Sequence, residues 1–261
     1  MSKAAHEVWA AVAGTTVGEA WLRRDAPKAP ELVARYRDVV AQVERGVPFA
    51  YAVGRVGFRT LDLAIDRRAL IPRPETEGLV ELVLRETGNG TRGLVADIGT
   101  GSGCIALSLA VEGEFDRVIA VEQSSGAAAL ARENVKRVAP EIPVEIREGN
   151  LLAPLVDKGD RYRAIVSNPP YLSATDHADL DRSVAEFEPR EALVSGIDGL
   201  EVTRRLFAGA AALLEPGGLL AIEIDERRAD AIRALGRDYG WRVEIHADLF
   251  GCPRFALAKE D

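Results

Sequence analysis

From residue 94 onward the chain repeats one pattern. A short apolar, β-branched run is followed by a turn and then by a helical stripe. Strands read at 94–98, 117–121, 144–147, 164–167, 219–224, 241–246 and 254–258, and helices at 104–111, 126–138, 199–214 and 230–239. Short continuous apolar runs bounded by turn signals mark strands buried on both faces. Strands that alternate with helices are joined by crossovers rather than hairpins, so they lie parallel with helices covering both sides. The pattern predicts an α/β fold built on a seven-stranded, mostly parallel sheet. Open sheets of this kind bind ligands at the carboxyl ends of their strands, so the residues that end each strand carry the functional question.

The fourth strand ends in Ile165-Val166-Ser167-Asn168-Pro169-Pro170-Tyr171. Neither proline donates to a sheet ladder, so the strand stops there. The residue before a proline is pushed out of helical space, which leaves Asn168 extended. The result is a short, stiff loop. The Asn168 side-chain carbonyl and the Pro169 main-chain carbonyl are both acceptors, and two nearby acceptors suit a planar –NH2 group. Tyr171 offers a flat face on which a planar amide or base can lie. An ordinary strand-to-turn transition, with Asn capping its own backbone, accounts for the same residues taken alone.

The first strand ends in Asp97-Ile98-Gly99-Thr100-Gly101-Ser102-Gly103. Glycines let backbone approach a ligand closely. The G-x-G-x-G spacing differs from the dinucleotide G-x-G-x-x-G, and the Lys-Ser/Thr pair of a P-loop is missing. A tight strand-to-helix turn is the competing explanation. Glu122 closes the second strand, where a carboxylate can accept both hydroxyls of a ribose; alone, it reads as a solvated strand-end acid. Asn150 closes the third strand, placed either to meet an adenine edge or simply to turn the chain after Gly149.

Ahead of residue 94 the character differs. Residues 1–46 carry apolar positions at helical spacing, among them Trp9, Val12 and Trp21, then Leu32, Val33, Tyr36, Val39 and Val43. They predict a small helical unit, too short to bury a full core alone. Residues 47–72 alternate with period two from Phe49 to Ile65 and predict a β-hairpin linker. Residues 73–261 form the main domain. It opens on a helix from about Pro74, with proline and acidic residues in its first turn, ending at Gly88-Asn89-Gly90.

With 261 residues, 47% hydrophobic and 28% charged, the chain is of globular type. No apolar run is long enough to span a bilayer, and the start lacks a signal peptide's apolar core, so a soluble, cytoplasmic protein is expected. Cys104 and Cys252 read as reduced thiols, and His6, His177 and His246 are scattered, so no metal site is expected. A formal charge of −8 argues against a broad phosphate-binding surface.

Taken together the motifs resemble those of the class I S-adenosylmethionine-dependent methyltransferases, which have a Rossmann-like sheet. More narrowly, the chain resembles the release factor glutamine methyltransferase family. Four stretches carry this: Leu70-Ile-Pro-Arg-Pro-Glu-Thr-Glu77, Asp97 to Gly103, Val166-Ser-Asn-Pro-Pro-Tyr-Leu172, and Phe187-Glu-Pro-Arg-Glu-Ala-Leu-Val194 with Asp198-Gly199-Leu200. The resemblance implies S-adenosylmethionine as cofactor. Asp97 and the loop Gly99, Thr100, Gly101, Ser102 and Gly103 would cradle its methionine part, Glu122 would bind its ribose, and Asn150 with Leu151 would flank its adenine. Asn168 would also border the cofactor. Asn168, Pro169, Pro170 and Tyr171 would hold the substrate amide, with Asn168, Pro169 and Tyr171 at the reacting centre. The implied substrate is the glutamine of the Gly-Gly-Gln loop of peptide chain release factors, methylated on its side-chain nitrogen by a monomeric enzyme whose N-terminal helices help dock the partner.

The chain departs from the family pattern in its shorter N-terminal unit, in Glu122 and Asn150 where Asp is common, and in Glu223-Ile224-Asp225 where a glycine usually follows the acid of the fifth strand. Glutamine methylation of a ribosomal protein, N-methylation of an exocyclic base amine in DNA or RNA, and a non-catalytic cofactor-binding module remain open alternatives at this point.

Overall fold

The structure, a computed structural model, describes residues 3–88, 92–156 and 159–260. It opens with three helices, α1 (Lys3–Ala13), α2 (Val17–Leu22) and α3 (Pro30–Glu44). A capping box starts α2, in which Thr16 and Glu19 each accept the other's backbone N–H. Trp9, Ala10 and Ala20 bury against Leu32, Val33 and Tyr36. Val12 and Val39 close a second cluster with Val53, a residue of the next segment.

That segment corrects one expectation. Phe49–Val53 is a helix, α4, and not a hairpin strand. Five residues alternating between large and small apolar side chains fit one helical turn as well as a strand. The flanks decide: Pro48 precedes the turn, and Gly54, at φ +80°, closes it by donating its N–H to Ala50. The Tyr51 hydroxyl reaches the Ala69 carbonyl at 2.7 Å, so its burial leaves no polar atom stranded. The hairpin is the shorter pair β1 (Arg55–Phe58) and β2 (Leu61–Ala64). Helix α5 (Pro74–Thr87) follows, and Gly88 caps it; the rest of the expected Gly88-Asn89-Gly90 stop lies outside the described residues.

The main sheet then forms from β3 (Leu94–Ile98), β4 (Arg117–Glu122), β5 (Val144–Glu148), β6 (Tyr162–Ser167), β7 (Leu214–Glu223), β8 (Trp241–Ala247) and β9 (Pro253–Glu260). Between them run α6 (Cys104–Glu112), α7 (Ser125–Val138), α8 (Ala153–Val156), α9 (Arg182–Phe187), α10 (Glu201–Ala210) and α11 (Ala229–Asp238). The strand order is β5-β4-β3-β6-β7-β9-β8. Every strand runs the same way except β9, which is antiparallel to both of its neighbours.

Successive strand residues face opposite sides, and the core divides accordingly. Val95, Val118 and Val166 pack with Leu79, Val83 and Leu109 on one face. Ile98, Ile119 and Ile165 pack with Leu206, Phe207 and Trp241 on the other. Two boundaries differ from expectation by more than two residues. Strand β7 begins at Leu214, and Pro216-Gly217-Gly218, expected as the turn before it, is a bulge inside it: Tyr162 pairs with Leu214 but Ala164 with Leu219. Helix α10 stops at Ala210, and the chain finishes that stretch as a 3-10 turn, Ala211–Leu213. The short helices α8 and α9 carry too few residues to show a period.

Candidate active site

Strand order reverses around β3. Its helix crosses to β4 on one side, while β6 pairs on the other. Loops leaving β3 and β6 therefore diverge, and a crevice opens between them. A cleft of about 600 Å³ occupies this point.

One wall is the β3–α6 loop. Gly99 adopts φ +73°, and a Cβ there would meet no atom within 4 Å, so the position calls for glycine by conformation and leaves space above the backbone. Beneath the loop Asp97 is fully buried. Its Oδ2 accepts from the Thr100 hydroxyl at 2.5 Å and from the Ala106 N–H at 3.1 Å, while Oδ1 has no partner. Burial pushes this carboxyl up to about 7, against the pull of those two hydrogen bonds. Asp97 thus holds the turn from behind, and Gly103 caps α6 from the same buried side.

On the same side, Glu122 reaches back from the end of β4 to the loop. Its Oε2 accepts the Gly101 N–H at 2.9 Å and its Oε1 the Ser124 N–H at 2.8 Å. An ionised carboxylate has about four acceptor positions, so both oxygens retain capacity for a ligand's hydroxyls. Asn150 is exposed, its Oδ1 accepting from Arg205 at 3.0 Å. Leu151 beside it sits at φ +50°, a conformation unusual for a residue with a side chain.

The other wall is the loop after β6. Ser167 pairs with Ile98, and its hydroxyl donates to the Ile98 carbonyl at 2.7 Å, which fixes the two strand ends side by side. Asn168 and Pro170 line the cleft together with Gly99, Thr100, Gly101, Ser102, Glu122, Asn150 and Leu151. Pro169 is buried. Tyr171 is half-buried and lies apart from the cleft lining. Burial, and then the charge of Glu223, push its phenol up to about 12, so the hydroxyl stays protonated.

Four residues that buttress this wall, Thr76, Glu223, Arg73 and Glu188, carry no role in the sequence reading. Asn168 Nδ2 donates to Thr76 Oγ1 at 3.1 Å, and Thr76 Oγ1 donates to Glu223 Oε2 at 2.7 Å. Arg73 Nη2 donates to Glu188 Oε1 at 2.6 Å, and the Glu188 side chain is 1% exposed. This ion pair ties the arginine-proline-acid stretch to the Phe187–Val194 stretch and explains why both motifs occur together. Gly199 packs so closely that a Cβ would collide with the Tyr171 carbonyl oxygen. Asp225, the residue in place of a glycine, accepts the Arg227 N–H and pairs with the side chains of Arg227 and Arg228. Both arginines also reach Asp176, and Arg228 donates to the Asp198 carbonyl, so the departure from pattern braces the chain that follows Tyr171.

Sheet order and cleft position define the class I methyltransferase fold, and residues 76–186 match the family model of the methyltransferase small domain. A release factor glutamine methyltransferase from Xylella fastidiosa is 43% identical over 83% of this chain and 78% of its own length. Another, from Deinococcus radiodurans, is 40% identical over 91% of this chain and 84% of its own. The chain belongs to the release factor glutamine methyltransferase family. Among solved structures, the hMettl16 catalytic domain in complex with an RNA hairpin superposes with a TM-score of 0.63 at 18% identity, covering 88% of this chain and 82% of that one, a likeness of fold alone. Among the described residues no helix is long and apolar enough to cross a membrane.

Proposed function

We propose that this chain transfers a methyl group from S-adenosylmethionine to the side-chain amide nitrogen of the glutamine in the Gly-Gly-Gln loop of a peptide chain release factor. The observation that carries the proposal is the placement of Asn168 in the same cleft as Gly99 and Glu122, on strand ends that pair directly. A cofactor pocket and an amide-binding loop share one space.

The cleft suits the cofactor on three counts. Its volume falls within the roughly 300–1,000 Å³ of small-molecule sites. The Gly99 backbone is bare toward open space, and the Glu122 carboxylate stands at the strand end where a ribose is held. Gly99 to Ser102 would meet the methionine part, Glu122 the ribose, and Asn150 with Leu151 the adenine. When bound, S-adenosylmethionine supplies an electrophilic methyl on a sulfonium.

The protein's own task is positioning. An amide nitrogen is a poor nucleophile, because its lone pair is delocalised into the carbonyl by resonance that makes rotation cost about 18–20 kcal/mol. The Asn168 Oδ1 and Pro169 carbonyl would accept the two N–H bonds of the substrate –NH2. Such bonds contribute roughly 1–3 kcal/mol each and cannot abolish the resonance. They orient the nitrogen face and stabilise charge growing on it. Holding both reactants in line supplies the larger share, up to about 7–11 kcal/mol. The substrate nitrogen then loses its proton to water.

The test is methyl transfer from radiolabelled S-adenosylmethionine to purified release factor, beside the same factor with that glutamine replaced. Label on the intact factor alone is the expected result. Label on neither, with cofactor binding demonstrated, would overturn the substrate assignment and move it to a ribosomal-protein glutamine or a nucleic-acid amine.

A further inference from the structure

We propose that Glu223 and Thr76 act as a directional clamp that decides which end of the Asn168 amide faces the substrate, and so make the site selective for an –NH2 group. The inference rests on the methyl-transfer reading above and assigns to the same site two positioning residues.

Glu223 ends β7 and Thr76 stands in the first turn of α5; each is 2% exposed. Neither neighbours Asn168 in sequence. The fold stacks the three in a row, carboxylate to hydroxyl at 2.7 Å and hydroxyl to amide at 3.1 Å. The chemistry of the row has one direction. An ionised carboxylate only accepts, so the Thr76 proton goes to Glu223. The Thr76 oxygen then presents lone pairs to Asn168, and only Nδ2 can donate to them. Asn168 Oδ1 is left to face the reacting group. A flipped Asn168 would set two oxygens against each other with no proton between them, and would offer N–H donors to a substrate amine that is itself a donor. The clamp therefore favours substrates that bring two N–H bonds and rejects a carbonyl or ether oxygen in the same place.

Protonation of Glu223 undoes this logic. A neutral carboxyl can donate to Thr76, which frees the Thr76 proton for Asn168 Oδ1 and removes the preference. Burial pushes Glu223 up to about 7, with Thr76 pulling the other way. The charged and titratable groups that act on it come from several elements: Arg254 from β9, Arg73 just before α5, Glu75 within α5, Tyr171 from the loop after β6 and the Cys104 thiol at the start of α6. The fraction of enzyme with a correctly turned Asn168 thus rises with pH through the neutral range.

The experiment is steady-state methylation of release factor by the full chain, by Thr76→Val, Thr76→Ser and Glu223→Gln, and by each of these combined with Asn168→Ala, across pH 6 to 9. Cofactor affinity and Tm are measured alongside. T76V removes the hydroxyl and E223Q lets the row run in either direction. T76V, which leaves Asn168 Nδ2 without its acceptor, is expected to lower kcat by roughly 30-fold, below the roughly 10²-fold of losing the oriented polar group itself; E223Q, which leaves Asn168 correctly turned in about half of the molecules, is expected to lower it by only about twofold, with cofactor affinity nearly unchanged in both. T76S, which keeps the hydroxyl, should recover kcat to within about threefold. E223Q should also flatten the low-pH limb of the kcat profile. In the N168A background neither change should cost anything further, because the clamp acts only through Asn168. Full kcat in T76V, or the same loss with and without Asn168, overturns the clamp. If T76V fails to fold, the nearly isosteric E223Q decides by the same criteria. An inactive wild-type chain would instead sink the assigned reaction, so the two failures are told apart by the wild-type measurement.

Discussion

The two walls of the cleft are assembled over different distances along the chain. On the glycine-loop side Thr100 bonds Asp97 three residues before it, and Glu122 takes the Gly101 N–H across 21 residues. A single β-α-β passage supplies that wall. On the Asn168 side the hydrogen bonds span 92, 147 and 115 residues, from Asn168 to Thr76, from Thr76 to Glu223 and from Arg73 to Glu188. The second wall exists only when α5, β6, β7 and the segment after α9 have all docked. On the proposed assignment of the walls, cofactor grip is a local property of the sequence, and substrate grip is a property of the completed fold. The two should respond to mutation in different currencies, affinity on one side and turnover on the other.

The sharpest way to break this comparison is Asn168→Ala. Loss of an oriented polar group at a reacting centre costs on the order of 10²-fold in rate, so kcat should fall by about that factor while cofactor affinity and Tm stay near wild type. Single-turnover methylation and calorimetric cofactor titration read the two separately. A fall in cofactor affinity with kcat preserved would reverse the assignment of the walls. Glu122→Ala is the mirror experiment, with a smaller effect. It removes the acceptor for a ribose and also releases the Gly101 and Ser124 N–H groups. Hydrogen bonds to a charged group contribute about 1.5–3 kcal/mol; with partial replacement by water, the cofactor Kd should rise about tenfold. Turnover at saturating cofactor should stay within about threefold. A collapse of kcat at unchanged Kd would place Glu122 at the reacting end.

The same contrast explains what the sequence made legible. Buried strands, glycine turns and crossover helices are encoded within windows of ten to fifteen residues, and the sheet from Leu94 to Glu260 follows them closely. Strand-end residues such as Glu122, Asn150 and Asn168 could be marked because parallel topology sends every strand end to one rim. Thr76 and Glu223 could not be assigned roles, because nothing in a local window says that a buried threonine in α5 faces a buried acid on β7. The motif around Thr76 is visible in sequence; the reason for it is a contact. Asp225 is a mixed case: Arg227 and Arg228 follow it within one short stretch, but Asp176, which both arginines also hold, lies 51 and 52 residues from them. Phe49–Val53 departs from its strand expectation for the opposite reason: a five-residue window contains too little information, and the flanking Pro48 and Gly54 decide its conformation.

Each wall also holds one buried carboxyl raised toward neutrality, Asp97 on the local side and Glu223 on the assembled side. Both are pushed up to about 7 by burial, whereas unfolded carboxyls titrate near 4. Between about pH 4 and 7 the folded chain therefore holds more protons than the unfolded one, and stability must fall as pH rises through that window. One such group contributes a slope of at most about 1.4 kcal/mol per pH unit. Asp97→Asn keeps the shape and the acceptor toward Thr100 but cannot titrate. Denaturant melts from pH 5 to 7.5 should show a wild-type decline, roughly half of it lost in D97N. The rest should persist in D97N and shrink in Glu223→Gln. If D97N leaves the wild-type slope intact, Asp97 is ionised throughout the range, and the glycine-loop wall carries a buried charge that its two hydrogen bonds are sufficient to hold.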